Sequence, residues 1–291
     1  MITKFTTVYA GHVDLPDRGQ NATPANDRRY SNEHLASVFA KTEAIAKKMD
    51  ALGFDTLWLA EHHFQHEGYE CIPNDLMLAV HLAHVTKNLK IGCAFNIARM
   101  WHPLRLAEDF ATADILTGGR TIFGVGRGDH TREVETFGAP MLNQEANREL
   151  FEEQVEIIFK AFNEESFSHQ GKRYTLPPRV PYRGYELEQL TLVPRPIHRP
   201  VECWQPIVSA NPRGLASWSV TASRVRSAAV RRQCKPDRLP LTVMPWPGRV
   251  STWRSARTSR SDCMFISPKL VSRRSARSPR STRSTSRCSR R

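Results

Sequence analysis

Residues 53–64 read GFDTLWLAEHHF. A glycine is followed by a short run dominated by apolar residues, FDTLWLA (54–60), which stops abruptly at Glu61, His62 and His63. A run of this length bounded by turn residues reads as a buried strand. A strand covered on both faces loses the polar alternation of a half-exposed one, and that is the mark of a parallel sheet packed under helices.

The flanking sequence repeats this grammar. Upstream, Leu35, Val38, Phe39, Ile45, Met49 and Leu52 recur at helical spacing over 31–52, with Ser31 placed as N-cap and Gly53 as the stop. Further upstream, ITKFTTVYA (2–10) is rich in β-branched and aromatic residues and predicts a strand. Downstream, a helix is expected over 73–85 and a buried strand over LKIGCAFNI (89–97). Pro103 opens the helix LRLAEDFATADIL, which Gly118 and Gly119 close. TIFGVG (121–126) predicts a fourth strand. A helix follows over 145–163, with Phe151, Val155, Ile158, Phe159 and Phe162 on one stripe. Residues 166–200 are rich in Pro and Tyr and read as an excursion with a short hairpin, before a fifth strand at VECWQPIVSA (201–210). Strands alternating with helices predict an α/β fold. The pattern leaves two architectures open, a doubly wound sheet and a (β/α)8 TIM-type barrel. A barrel takes ~250 residues, which the 291-residue chain can supply.

The net charge of +13 is not spread along the chain. Residues 1–214 hold 23 Lys+Arg against 27 Asp+Glu, a net of −4, whereas 215–291 hold 19 against 2, a net of +17. The six cysteines include no C-x-x-C pair, and neither H-x-H nor H-E-x-x-H occurs at the histidine pair, so no metal is expected. No stretch approaches the ~18 apolar residues of a membrane span, nor does the N-terminus resemble a signal peptide. A reduced, cytoplasmic protein is the expectation.

Three stretches carry chemistry. Glu61, His62 and His63 follow a strand; in a parallel barrel, functional groups gather at the carboxyl ends of strands. Imidazoles there can move protons near neutral pH, although the same pair also fits a packed, hydrogen-bonded loop. Asn96 and Arg99 follow the third strand, and His102-Pro103 starts the next helix. GVGRGDH (124–130) sets small residues and Arg127 after the fourth strand, where a flat ring or phosphate could approach the backbone. It is not a dinucleotide fingerprint, which belongs after the first strand.

In this order and spacing, GFDTLWLAEHHF, LKIGCAFNIARMWHPLRLAEDFATADILTGGR and FGVGRGDHTREVETFG resemble the bacterial luciferase-like flavin monooxygenases over residues 1–214. The resemblance implies a (β/α)8 barrel that binds reduced FMN, or a deazaflavin in some branches, at the strand ends. It implies oxygenation of a small organic substrate by O2, with reduced flavin supplied by a separate NAD(P)H-dependent reductase, and often a homodimer. His62 matches the family's catalytic histidine, with Glu61 and His63 bracing its loop. Asn96 and Arg99 would lie near the flavin ring or substrate, and Gly126, Arg127 and Gly128 beside the flavin and its phosphate. Ser209, Ala210 and Asn211 would approach the phosphate after the fifth strand. A deazaflavin-dependent hydride transfer is the alternative reaction.

The resemblance stops near Gly214. Residues 215–291 contain 17 arginines, 16 serines, one glycine and no glutamate, and show no further β-α unit. An allowed back-translation of residues 217–230, read from the third base of each codon, encodes a helix end, a strand and a glycine-rich turn. The expectation is an out-of-frame translation beginning near 214–217. It would leave about five β-α units of a barrel followed by a basic, disordered tail, and the loss of the C-terminal barrel units would impair the activity of this chain. If the tail is genuine, it predicts a nucleic-acid partner bound through phosphates.

Overall fold

A computed structural model of the chain describes residues 4–17, 23–24, 27–207, 227–232 and 263–265. Its elements run β1 (Thr6–Tyr9), α1 (Asn32–Ala51), β2 (Thr56–Leu59), α2 (Asp75–Val85), β3 (Lys90–Cys93), β4 (Asn96–Ile97), α3 (Pro103–Leu116), β5 (Thr121–Gly126), α4 (Thr131–Thr136) and α5 (Gln144–Asn163). The excursion holds two small hairpins, β6–β7 (His169–Gln170, Thr175–Leu176) and β8–β9 (Pro181–Tyr182, Tyr185–Glu186), where one was expected. Then come β10 (Cys203–Ile207), β11 (Ser227–Arg232) and β12 (Cys263–Phe265).

The helix ends form for local reasons. The Ser31 side chain accepts from the His34 amide at 3.2 Å, and Asn74 caps α2 by accepting from Met77 N–H at 2.8 Å. Pro103 occupies the first turn of α3, where its missing N–H is no loss.

Strand order separates the two architectures. The sheet runs β1-β2-β3-β5-β10-β11, each pair parallel, with β4 also pairing β5. A doubly wound sheet reverses its strand order at a switch point. Here each β-α unit adds its main strand on the same side as the last, as the staves of a barrel do. The described residues therefore form a partial TIM-type barrel.

Side chains alternate about this wall. Leu57 and Leu59 of β2 and Ile91 of β3 point to the helix layer and pack with Val38, Met49 and Leu82. Phe123 and Val125 of β5 and Cys203 of β10 pack with Phe110, Ile158 and Phe162. The other register faces the barrel interior, where Trp58, Ile122 and Trp204 cluster with Phe95. The Trp58 and Trp204 rings stand 4.8 Å apart. Gly92 is required there: a Cβ would lie 2.1 Å from Trp58 Cε3.

The basic tail was expected to supply no further β-α unit; within it, Ser227–Arg232 pairs in parallel along the free side of β10, and Cys263–Phe265 pairs antiparallel to it. An unpaired strand edge is a template for further backbone pairing whatever the side chains. The rest of 215–291, and so the question of its disorder, lies outside the described residues. Among the described residues, no helix is long and apolar enough to cross a membrane.

Candidate active site

The carboxyl ends of β2, β4 and β5 place Glu61, His62 and His63, Asn96 and Arg99, and Gly126, Arg127 and Gly128 on one face. Just after β2, the Glu61 side chain turns inward and is 1% exposed. Its Oε2 accepts the Ile97 N–H at 2.6 Å, and its Oε1 accepts the Trp101 Nε1–H at 2.8 Å and lies 3.2 Å from His63 Nε2. Glu61 thus ties the β2 loop to β4 and the turn behind it, a bracing role. His63 is held on both sides: its ring meets Phe137 edge-on at 4.8 Å, and its backbone N–H donates to Glu133.

His62 is set differently. Its Nδ1 lies 3.3 and 3.4 Å from the two oxygens of Glu133, so Nδ1 carries the proton toward that carboxylate. Its Nε2 faces Glu70 Oε1 at 3.5 Å. Glu133, from the short helix α4, also accepts from His63 N–H at 3.0 Å and Gln65 Nε2 at 2.9 Å. Burial alone would raise the Glu133 pKa, but the bonds from His62, His63 and Gln65 outweigh it and bring it down to about 2. Burial alone would lower His62; the Glu133 bond and the charges of Glu70, Glu133 and Asp129 hold it above the ordinary imidazole value.

The opposite wall is cationic. Arg99 sits in a 3-10 turn at Ala98–Met100 and is only 3% exposed. Its Nη2 reaches Met141 Sδ at 3.4 Å, while its Nε and Nη1 have no partner among the described residues. Burial, then the charge of Arg127, lowers its pKa to about 10. Arg127 donates to Asn147 Oδ1 at 3.2 Å, and Asn147 in turn contacts Met141. Asn96 donates to the Gly124 carbonyl at 2.9 Å, and its buried Oδ1 has no partner among the described residues.

The glycines are largely used for packing. A Cβ at Gly124 would fall 1.7 Å from the Cys93 carbonyl oxygen, and one at Gly126 would lie 3.2 Å from Phe95 Cβ. Gly128 has φ +75 and abuts Ile97 and Val134. His102 serves as the N-cap of α3, its Nδ1 accepting from Leu104 N–H at 3.3 Å. Ser209, Ala210 and Asn211 lie outside the described residues. Sequence reasoning missed Glu133, Glu70, His130 and Asn147. The acid in HTREVET was visible, but a six-residue helix offers too little period to orient it.

The luciferase-like monooxygenase family model matches residues 17–224. The chain belongs to this family. Its relatives include the alkanal monooxygenase alpha chain of the Kryptophanaron alfredi symbiont, 32% identical over 140 residues, covering 48% of this chain and 38% of that one. The oxygenase component of flavin-dependent trigonelline monooxygenase from Acinetobacter baylyi is 28% identical over 151 residues, covering 52% of this chain and 38% of that one. Of solved structures, the oxygenating constituent of 3,6-diketocamphane monooxygenase from Pseudomonas putida, in complex with FMN, superposes with a TM-score of 0.56 at 20% identity. That match covers 78% of this chain and 57% of that one. Monooxygenase RslO1 from Streptomyces bottropensis gives 0.54 at 21%, covering 76% and 66%. These superpositions share the fold. The chain spans between 38 and 49% of the length of the first curated relatives it matches.

Proposed function

We propose that the protein is an FMN-dependent monooxygenase component in which reduced flavin and O2 oxygenate a small organic substrate. The reduced flavin comes from a separate NAD(P)H-dependent reductase. The observation that carries this reading is Arg99, buried beside Arg127 with two guanidinium nitrogens that have no partner among the described residues, on the same face as the His62–Glu133 pair. A buried guanidinium with two unsatisfied nitrogens is costly, and an anionic or carbonyl-rich ligand relieves that cost. The phosphate or ring edge of a flavin has this chemistry, so the residues fit the cofactor.

When bound, reduced flavin supplies the electrons that activate oxygen. The chain's own groups do the rest. Arg99 and Arg127 bind and orient the anion. Glu133 holds the Nδ1 proton of His62 and fixes the ring, which leaves Nε2 to move a proton at the reacting centre. Glu61 keeps the loop against β4, and the apolar interior around Trp58 and Trp204 limits water.

Residues 1–214 form the flavin-binding unit in this reading, and 215–291 are an out-of-frame translation that weakens flavin binding. Translating the coding DNA across 205–235 in all frames tests the second point. An alternative frame continuing with a helix, a strand and a glycine-rich turn supports it. If no frame does so, the tail is genuine and points to nucleic acid. The first point is tested by FMN titration of the full chain and of a frame-restored version. Saturable binding that Arg127→Ala weakens at least ~10-fold is expected. No binding in either version, or preference for a reduced deazaflavin, overturns it.

A further inference from the structure

The loop after β2 also gathers, with His130 ahead of α4, a ligand set of which the proposed flavin chemistry uses only His62. His62, Glu70 and His130 each offer one ligand atom, and the three atoms lie within 4.8 Å of one another. His62 Nε2 is 3.5 Å from Glu70 Oε1, and the two imidazole rings are 4.9 Å apart. Two ligands bound at ~2.0–2.1 Å to a tetrahedral ion stand ~3.4 Å from each other. The His62–Glu70 pair already has that spacing, and the His130 nitrogen needs to close by at most ~1.4 Å. His130 can do so, since its side chain is 38% exposed and sits just ahead of α4.

The surroundings suit a cation. Glu133 accepts from His62 Nδ1, the carboxylate–histidine arrangement that orients a ligating imidazole. Glu133 is also 3.5 Å from His130 Nδ1. The nearby Arg132 is engaged by Glu67 at 2.8 Å. Two imidazole nitrogens and one carboxylate oxygen favour a borderline transition ion over magnesium or calcium, which prefer all-oxygen shells.

We propose that His62, Glu70 and His130 form a site for a zinc-class divalent cation with its fourth position open, and that the bound ion occupies the His62 Nε2. Binding stands on this geometry alone. Its consequence, inhibition of oxygenation by the ion, rests on the function proposed above. The two are separated by measuring binding on the flavin-free full chain.

The probe is Zn2+ alone, followed by calorimetry, with Co2+ as a spectroscopic substitute. One saturable ion per chain is expected, weakened at least ~10-fold by Glu70→Gln and by His130→Gln. The Co2+ spectrum should lack a thiolate charge-transfer band, because no cysteine belongs to the site. Both variants change partly exposed side chains, and circular dichroism confirms that they fold. The proposal is overturned if Zn2+ does not saturate, if both variants bind as the parent does, or if a thiolate band dominates. A site confirmed by binding together with unaffected oxygenation would refute the inhibition alone.

Discussion

The two walls of the strand-end face treat charge in opposite ways. On the β2 side, Glu133 accepts from His62, His63 and Gln65, and Glu61 from Ile97 and Trp101. Those carboxylates are buried and saturated. On the β4–β5 side, Arg99 is buried just as deeply, yet two of its nitrogens have no partner among the described residues. A saturated charge holds a fold together, whereas an unsatisfied one marks where the fold awaits something from outside. In the proposed function the first wall positions its groups and the second binds.

This contrast can be broken by substitution. The largest effect is expected for Glu133→Ala, which strands the His63 N–H and Gln65 amide and frees the His62 ring. A loss of about 3 kcal/mol should appear as a lower urea midpoint. A change within ~0.5 kcal/mol would show that the wall is not held by this carboxylate. Arg99→Met should have the opposite sign. Removing an unpaired buried charge should leave stability unchanged or raise it by about 1 kcal/mol, while flavin affinity falls. Destabilisation with intact flavin binding would give Arg99 a structural role instead.

The pH dependence sharpens the comparison further. Glu133 titrates near 2 in the folded chain, below its unfolded value of ~4.3. Its stabilisation is therefore present above that unfolded value and lost as pH falls toward 2. His62 has a raised pKa, so its contribution is complete below ~6.5 and is lost as pH rises through the folded value. Thermal melts against pH should thus fall away on both sides, and Glu133→Gln should flatten both limbs. The smallest effect is expected for Glu70→Gln. It removes one of the charges that raise His62, so the His62 titration, followed by NMR, should move slightly to lower pH.

Much of the scaffold was legible because its causes are local. TIFGVG at 121–126 is β5 as read, Ser31 caps α1, and Pro103 starts α3. The end of GFDTLWLAEHHF lies at the mouth because the strand run stops where the charges begin. Glu133 was not legible in the same way. It sits 71 residues from His62, on a helix too short to show a period, and nothing in its own neighbourhood names its partner. The His62, Glu70 and His130 group escaped for a similar reason, since metal spacings read from sequence assume ligands close along the chain. The β11 strand escaped because its pairing depends on the exposed edge of β10.

The sequence by itself determined the alternation of strand and helix, the strand ends that carry Glu61, His62, Arg99 and Arg127, and the break in character after Gly214. Those follow from period, caps and composition, all short-range properties. Only the tertiary structure decided the sequential stave order and which charges are neutralised. It joined Glu133 to His62 and left two nitrogens of Arg99 without a partner among the described residues, because hydrogen bonds and desolvation depend on distances between segments that the chain order does not contain.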